Sequence, residues 1–352
     1  MDKQEIFGLS LEELQAAFLA QGFKKFRAAQ VFNWLYQKAV FDFCEMKNIA
    51  KADQELLAAT FQILPATLKV LKEQLSGRDG TRKALLELAD GNSVETVCMA
   101  HNYGCSVCVS SQVGCNMGCA FCASGINGAV RNLTKEEIIL QVYYFNKALL
   151  AEGKRVSRIV VMGSGEPMLN LEATVAALKF LHEENTLNIG YRNMTVSTCG
   201  IVPGIERFEA EGLPISLAIS LHAASDELRS ELMPINKKYP FTEVIAAADS
   251  YAASNGRQVT YEYVLIANKN DSVLDAELLS NVLRFKNVSV NLIPVNPVEE
   301  KGFKRPSKET VERFLQVLTK NKINATVRRE MGNDIAAACG QLRAQFGEQK
   351  NI

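Results

Sequence analysis

From residue 106 onward, short apolar runs of strand character alternate with longer segments of helical periodicity. The predicted strands are 106–110, 158–162, 194–198, 215–220, 259–264 and 288–293, and helices at 134–151, 171–184, 241–253 and 275–286 lie between most of them. Because parallel strands need long crossover connections, this alternation predicts an α/β fold with a parallel sheet. Six strand–helix units are too few for a closed eight-stranded barrel, so we expect a partial (β/α)6 barrel with its functional site at the carboxyl ends of the strands.

The chain before residue 106 has a different pattern. Residues 1–75 read as helical: Ser10 and Glu13 form a capping-box pattern, and helical spacing follows at 26–39 and 50–61. Two alternating segments, 83–88 and 93–97, flank the turn signal Asp-Gly-Asn and predict a β-hairpin. The predicted organisation is a small helical N-terminal domain (1–75), a linker with a β-hairpin extension (76–104) and the barrel core (105–352).

Composition excludes several classes of protein. The 352 residues carry 39 Lys and Arg against 39 Asp and Glu, and 47% are hydrophobic. These values exclude a disordered chain, a collagen-like chain and a globally basic nucleic-acid binder. No run approaches the ~18 apolar residues of a membrane helix, and no signal peptide is recognisable. We therefore expect a cytoplasmic protein whose thiols stay reduced.

Six of the nine cysteines fall within residues 98–122. Cys115, Cys119 and Cys122 form a C-x3-C-x2-C pattern on a Gly-rich loop after the first barrel strand. Three thiolates favour a 4Fe–4S cluster, which would leave one iron open for a ligand. A structural zinc site is the alternative, since Cys105 or Cys108 could supply the fourth ligand that zinc usually takes.

The longer segment 108–125, Cys-Val-Ser-Ser-Gln-Val-Gly-Cys-Asn-Met-Gly-Cys-Ala-Phe-Cys-Ala-Ser-Gly, resembles the radical S-adenosylmethionine (SAM) enzymes. It is most similar to their RlmN family, the dual-specificity RNA methyltransferases that modify C2 of adenine, to which the C8-methylating Cfr enzymes are closely related. The likeness spans roughly residues 80–345 and continues in the motifs 162–167, 196–203, 220–223, 232–236, 291–297 and 338–342.

The resemblance implies a set of cofactor residues. Cys115, Cys119 and Cys122 would hold one 4Fe–4S cluster per chain. The residues that match the family's contacts to SAM are Gly165, Glu166, Ser197, Ser220, Leu221, His222 and Asn296. Glycines allow a ligand to approach the backbone closely, and a carboxylate accepts hydrogen bonds from an ammonium group. Gly165 and Glu166 would accordingly hold the amino end of SAM.

The resemblance also assigns catalytic residues. Cys339, near the predicted start of a last helix, would carry a methyl group taken from the first of two SAM molecules used per turnover. Cys108 would release the product by forming a transient disulfide with Cys339, and Glu95 would accept the proton from C2. Without the resemblance, Cys339 reads as a buried packing residue and Glu95 as a solvent-facing strand residue.

The implied substrates are an adenine in the peptidyl-transferase centre of 23S rRNA and the adenine 3′ of the anticodon in tRNA. The implied electron donor is a flavodoxin or a ferredoxin, and we expect a monomer without membrane contact. RNA needs positive charge: residues 301–329 contain nine Lys and Arg against two Glu, and Arg328 and Arg329 are the best candidates for phosphate contacts. The helical N-terminal domain would help to grip the RNA.

Two alternatives remain open. One is a Cfr-like enzyme acting on C8, against which the Glu166-Pro167 pair favours C2. The other is a zinc-dependent RNA-binding module without catalysis, in which Cys105 and Cys108 would be zinc ligands.

Overall fold

A ten-stranded sheet forms the centre of the molecule, a computed structural model that describes residues 3–64 and 68–342. Its strands, in spatial order, are β14, β13, β12, β11, β10, β9, β6, β5, β4 and β3. Their bounds are β3 Lys69–Leu75, β4 Arg82–Glu87, β5 Ser93–His101, β6 Gly104–Val109, β9 Val156–Val161, β10 Met194–Thr198, β11 Ser216–Ser220, β12 Val259–Leu265, β13 Val288–Pro294 and β14 Asn324–Val327.

Seven neighbouring strands, from β6 to β14, run parallel and form the partial barrel. The crossover helices are α4 Lys135–Ala151, α5 Leu171–His182, α6 Val202–Ala210, α7 Asp226–Leu232, α8 Phe241–Asn255, α9 Val273–Leu283 and α10 Lys308–Lys320. The predicted α/β fold with a partial (β/α)6 barrel is therefore confirmed, with β14 as an additional parallel strand at the edge.

The β-hairpin extension is continuous with the barrel sheet. β5 pairs antiparallel with both β4 and β6, so it joins the predicted hairpin directly to the first barrel strand. The prediction of helical structure up to residue 75 is wrong at its end, because residues 69–75 form β3 along the edge of β4. Pairing with β4 supplies backbone hydrogen bonds that local helical spacing does not reveal.

Three helices precede the sheet: α1 Leu11–Ala20, α2 Lys25–Tyr36 and α3 Lys51–Thr60. A short parallel pair, β1 Gln4–Glu5 with β2 Phe61–Gln62, closes this unit. Buried aromatic rings pack this N-terminal unit against the barrel. Tyr36 contacts Tyr143 on α4 (5.4 Å between ring centroids) and Phe180 on α5 (4.9 Å). The Tyr143 hydroxyl also donates a hydrogen bond to the Tyr36 carbonyl. The helices therefore share one hydrophobic core with the barrel.

Within the described residues, no helix is both long enough and apolar enough to cross a membrane.

Candidate active site

A cavity opens at the carboxyl ends of the barrel strands. Its wall brings together most of the residues that the sequence singled out: Cys115, Cys119, Cys122, Gly165, Glu166, Ser197, Ser220, His222, Asn296 and Cys339. Ser197 and Ser220 lie at the carboxyl ends of β10 and β11, and the other residues lie in the connections that follow β6, β9, β11, β13 and β14. The parallel topology explains the convergence, because the carboxyl ends of all parallel strands meet at the same rim.

The three-cysteine loop is framed by a small antiparallel ribbon, β7 Gln112–Gly114 with β8 Ala129–Asn132. The Cys115 amide donates to the Gly128 carbonyl (3.0 Å), and the Cys122 amide donates to the Cys119 carbonyl (3.2 Å). Gly114 has a positive φ, and a Cβ there would lie 1.9 Å from the Gly128 carbonyl oxygen. Only glycine permits this close turn, which presents the thiols to the cavity.

The donor set fits an iron–sulfur cluster better than a single ion. Among the described residues, no three His, Cys, Asp or Glu side chains are gathered around a point that one metal ion could occupy. One Zn²⁺ would need every thiolate within ~2.3 Å, whereas a cluster shares its thiolates among several irons.

The zinc-module alternative also requires Cys105 and Cys108 to act together. Both lie on β6, three positions apart, so they point to opposite faces of the sheet. Cys105 packs in the main core, whereas Cys108 belongs to a separate small apolar cluster beside the cavity. The structure therefore contradicts a zinc site that includes both residues.

The turn after β9 packs closely against Gln112 and forms part of the cavity wall. Gly165 has φ +105°, and a Cβ there would lie 2.7 Å from Gln112. Both carboxylate oxygens of the buried Glu166 accept backbone hydrogen bonds, from Met168 (3.0 Å) and Cys199 (2.8 Å). Burial raises the pKa of Glu166, and these hydrogen bonds oppose that rise. The carboxylate is therefore held rigidly at the cavity wall.

Asn296 and His222 offer two defined polar groups. The Asn296 amide nitrogen donates to the Cys339 carbonyl (3.0 Å), while its buried Oδ1 has no hydrogen-bond partner among the described residues. Such an atom fits a ligand that donates a hydrogen bond. The Nδ1 of His222 accepts from the Val264 amide (3.0 Å), and burial lowers the pKa of His222 to about 3. The ring is therefore neutral, with its proton on Nε2.

Leu221 is the one predicted SAM contact that the cavity wall does not include. Its side chain is buried, and its amide donates to the Glu262 carbonyl (3.0 Å). Its carbonyl accepts from the fully buried Arg229, which also donates to the Cys199 carbonyl (2.7 Å). Arg229 thus ties together the turns after β10 and β11. Sequence reasoning missed it, because nothing in its local pattern distinguishes it from a surface helix residue.

Cys339 lies in a turn of the segment 332–342, called here the carrier segment. The predicted last helix would follow at residues that lie outside the described part of the chain. Cys108, Val97 and the carrier-segment residues Ile335, Ala337 and Leu342 form one small apolar cluster. Burial, and to a smaller extent the nearby Cys339, raise the pKa of the Cys108 thiol to about 12. Cys108 therefore packs against the segment that bears Cys339.

Glu95 is a buried residue, contrary to the solvent-facing position that strand alternation alone suggests. It lies two residues from Val97 on β5, and Val97 pairs with Cys108, so Glu95 and Cys108 are on the same face of the sheet. Lys83, on the neighbouring strand β4, places its Nζ 2.9 Å from Glu95 Oε1 and donates to the Ala336 carbonyl (3.0 Å).

Lys83 is the second residue that sequence reasoning missed. It joins Glu95 directly to the carrier segment. A buried lysine is unusual unless it is paired. The sequence contained one hint: Lys83 lies in the predicted strand 83–88, on the same face as Leu85.

The basic residues of the stretch 301–329 have different surroundings in the structure. Arg305 pairs with Glu330. Arg328 turns inward, with Nη1 3.4 Å from Glu262 Oε1 at the cavity. The Arg328 charge opposes the burial that raises the pKa of Cys339. The sequence predicted both Arg328 and Arg329 as phosphate contacts. The Arg328 side chain points toward Glu262 at the cavity, whereas Arg329 is exposed to solvent.

Comparison with known proteins agrees with this site. The model of the radical SAM superfamily matches residues 109–278, and that of the ribosomal RNA large subunit methyltransferase N-terminal domain matches residues 4–63. The probable dual-specificity RNA methyltransferase RlmN of Symbiobacterium thermophilum is 48% identical over 97% of this chain and 92% of its own length. The relative of the same name from Geobacillus kaustophilus is 49% identical, with the same two coverages.

A solved radical SAM methyltransferase from Sphaerobacter thermophilus superposes with a TM-score of 0.92 at 44% identity, covering 97% of this chain and 99% of that one. The cofactors are those of the superfamily, a 4Fe–4S cluster and SAM. The chain therefore belongs to the RlmN family of dual-specificity RNA methyltransferases, within the radical SAM superfamily.

Proposed function

We propose that the protein methylates C2 of a specific adenine through a methyl group carried on Cys339. The substrates would be 23S rRNA, at the peptidyl-transferase centre, and tRNA, at the adenine 3′ of the anticodon. The observation that carries the proposal is the position of Cys108 and Glu95: Cys108 packs against the carrier segment beside the cavity, and Glu95 lies on the same sheet face. Simple methyl transfer to a nucleophile would need neither the second cysteine nor the buried carboxylate.

Cys339 acts first in this mechanism. Its thiolate accepts a methyl group by displacement, and the nearby Arg328 guanidinium favours that thiolate. Cys115, Cys119 and Cys122 would hold the cluster, and Gly165, Glu166 and Asn296 would position SAM beside it. When bound, these cofactors supply the one-electron chemistry that activates the carried carbon toward the electron-poor C2.

Glu95 and Cys108 complete the reaction. Once the carbon on Cys339 is joined to C2 and the adduct has given up one electron to the bound cofactors, Glu95 accepts the C2 proton. The Cys108 thiol gives up its proton as its sulfur attacks the Cys339 sulfur, so an S–S bond forms and the S–C bond breaks. The electron pair of the S–C bond stays with the carbon, which takes up a proton and becomes the methyl group. A thiol reductant then opens the Cys108–Cys339 disulfide for the next cycle.

The cellular setting is part of the proposal. The enzyme would act in the cytoplasm as a monomer, with a flavodoxin or a ferredoxin as its electron donor. The N-terminal unit supports RNA binding, because its match is to a ribosomal RNA methyltransferase domain. Its aromatic packing against α4 and α5 would hold that RNA-binding surface rigidly relative to the cavity.

The Cys108→Ala variant tests the two-cysteine mechanism. The holoenzyme, with SAM, a reductant and tRNA, should accumulate a covalent protein–RNA adduct at Cys339, because nothing can then attack the Cys339 sulfur. Cys105→Ala is the matched control, since Cys105 lies on the same strand but faces the other side of the sheet. Mass spectrometry of the protein and of adenosine from the treated RNA would be the readouts.

Normal turnover by Cys108→Ala would show that the proposed cysteine roles are wrong. A methyl group at C8 in the wild-type product would replace the C2 assignment with a Cfr-like one.

A further inference from the structure

A second cavity, of about 550 Å³, lies at the opposite end of the barrel from the cysteines. It is formed where β12, β13 and β14 begin, and its wall includes Arg284, Phe285, Lys286, Lys320 and Lys322. We call these five residues and the space between them the basic groove. Nothing in the proposed mechanism uses it.

Phe285 is the most unusual residue of the basic groove. Its side chain is 99% exposed, and its backbone has φ +64°. A bulky residue in this left-handed region is strained, and an exposed ring gains nothing from the hydrophobic effect. Strain of this kind concentrates where a ligand is bound. The Arg284 guanidinium lies 5.9 Å from the centroid of this ring, over one of its faces. An exposed aromatic ring beside a guanidinium is an arrangement on which proteins stack unpaired nucleobases.

The charges of the basic groove fit the same ligand. Lys286 pairs with Asp249, but Arg284, Lys320 and Lys322 form no ion pair with any described residue. Three uncompensated cations around one exposed ring match a chain of phosphates with exposed bases. Lys320 and Lys322 belong to the basic stretch found in the sequence, so this location accounts for part of its excess charge.

The edge strand β14 connects the basic groove with the catalytic pocket. It begins at Asn324 in the groove wall and is followed by Arg328, which faces Glu262 and Cys339. Its four residues span about 13 Å at ~3.3 Å per residue. Most of β14 is exposed, and it has no strand on its outer side among the described residues. A single strand of RNA could therefore follow β14 from the groove to the pocket.

We propose that the basic groove binds the single-stranded RNA that flanks the target adenine. One base would stack on Phe285, and the phosphates would contact Arg284, Lys320 and Lys322. The inference rests on the proposed function, because it concerns the RNA on which that function acts. Its consequence is that a base a few nucleotides from the target is held while the target adenine enters the cavity.

Two variants test the stacking and the charge contributions separately. Phe285→Ala should weaken binding of an anticodon stem–loop RNA by about 10-fold. Its control is Leu274→Ala, because Leu274 is also exposed (64%) and lies at the start of α9, the helix that ends just before Arg284 and Phe285. The double variant Lys320→Ala/Lys322→Ala should lower the salt dependence of binding by about 1.4 in log–log slope. Lys154→Ala/Arg192→Ala, which removes cations near the amino ends of β9 and β10, is its control.

Fluorescence anisotropy of the labelled stem–loop with the reconstituted holoenzyme measures both effects, and methylation of Cys339 checks the cofactor site. Weaker RNA binding with normal Cys339 methylation supports the proposal. RNA binding equal to wild type in both groove variants overturns it. Slower reduction by flavodoxin with unchanged RNA binding would instead make the groove a protein-docking surface. Absence of methyladenine from the wild-type reaction would count against the proposed function, not against the groove.

Discussion

The cysteine loop and the carrier segment meet at the same cavity but are held in different ways. Within the loop, backbone hydrogen bonds join residues that are close in the chain, such as Cys122 to Cys119 and Cys115 to Gly128. Two longer-range bonds run from the Ala120 amide to the Leu232 carbonyl and from the Ala123 amide to the Gly340 carbonyl. The carrier segment is tied by distant residues: Gly332 donates to Asp79 and Ala336 accepts from Lys83, each pair 253 positions apart. The loop therefore has a local hydrogen-bonded frame in addition to its distant contacts, whereas the carrier segment is tethered by side chains from distant parts of the chain.

This difference predicts which step of the reaction a substitution in each region should impair. A change in the cofactor turns should abolish cofactor binding and all later steps. A change in a tether of the carrier segment should leave cofactor binding and methyl loading intact and should impair only the steps that need Glu95, Cys108 and Cys339 together.

The largest effect is expected from Gly165→Ala in the cofactor turn. The added Cβ would lie 2.7 Å from Gln112, and alanine is strained at φ +105°. Strain of ~1–3 kcal/mol together with the clash should weaken SAM binding by more than 10-fold. Equilibrium binding of SAM to the reconstituted protein measures this. Gly153→Ala is the matched control, since Gly153 has φ +69° but no atom within 4 Å of the added Cβ. Equal SAM affinity in both variants would show that the turn at Gly165 is not a cofactor contact.

An intermediate effect is expected from Lys83→Ala in the carrier-segment tether. Without its ammonium group, Glu95 and the Ala336 carbonyl lose their common partner. RNA methylation should fall by about 10-fold, less than the full contribution of a general base because Glu95 itself remains, while methylation of Cys339 in the absence of RNA should continue.

The outcome for Lys83 can be checked in two ways. Lys83→Arg should restore part of the activity, because a guanidinium can still donate to both groups. Lys69→Ala is the control, since Lys69 pairs across the same ribbon with Glu87 but is exposed. Loss of Cys339 methylation in Lys83→Ala would mean that Lys83 shapes the whole cavity, and the contrast between the two regions would then fail.

The smallest effect is expected at Asp79. Burial raises its pKa, but hydrogen bonds from Thr81 and Gly332 outweigh that effect and lower it to about 2. A lowered pKa stabilises the fold above the ordinary value of 3.8, and this contribution disappears as the pH falls toward 2. Asp79→Asn should therefore loosen the carrier segment slightly at pH 7, with several-fold faster amide exchange there and unchanged exchange in the cysteine loop. Equal exchange in wild type and variant would show that the Asp79 tether is unimportant.

Most of the barrel could be predicted from the chain because its signals are local. The predicted strands at 194–198 and 259–264 match β10 and β12 to within one residue. The C-x3-C-x2-C pattern and the turn around Gly165 could also be recognised in the sequence, because each is formed by a few consecutive residues. β3 was not predicted, because its strand conformation depends on pairing with β4.

The amino-acid sequence by itself determined the α/β class, the three-cysteine loop and the glycine turn, because each depends on residues that are close along the chain. Only the tertiary structure decided that Glu95 is buried beside Lys83, that Arg328 faces Cys339 and that Cys105 and Cys108 lie on opposite sides of the sheet. These are relations between side chains on different strands, or on opposite faces of one strand. Strand pairing and register create them, and neither can be read from composition or local spacing.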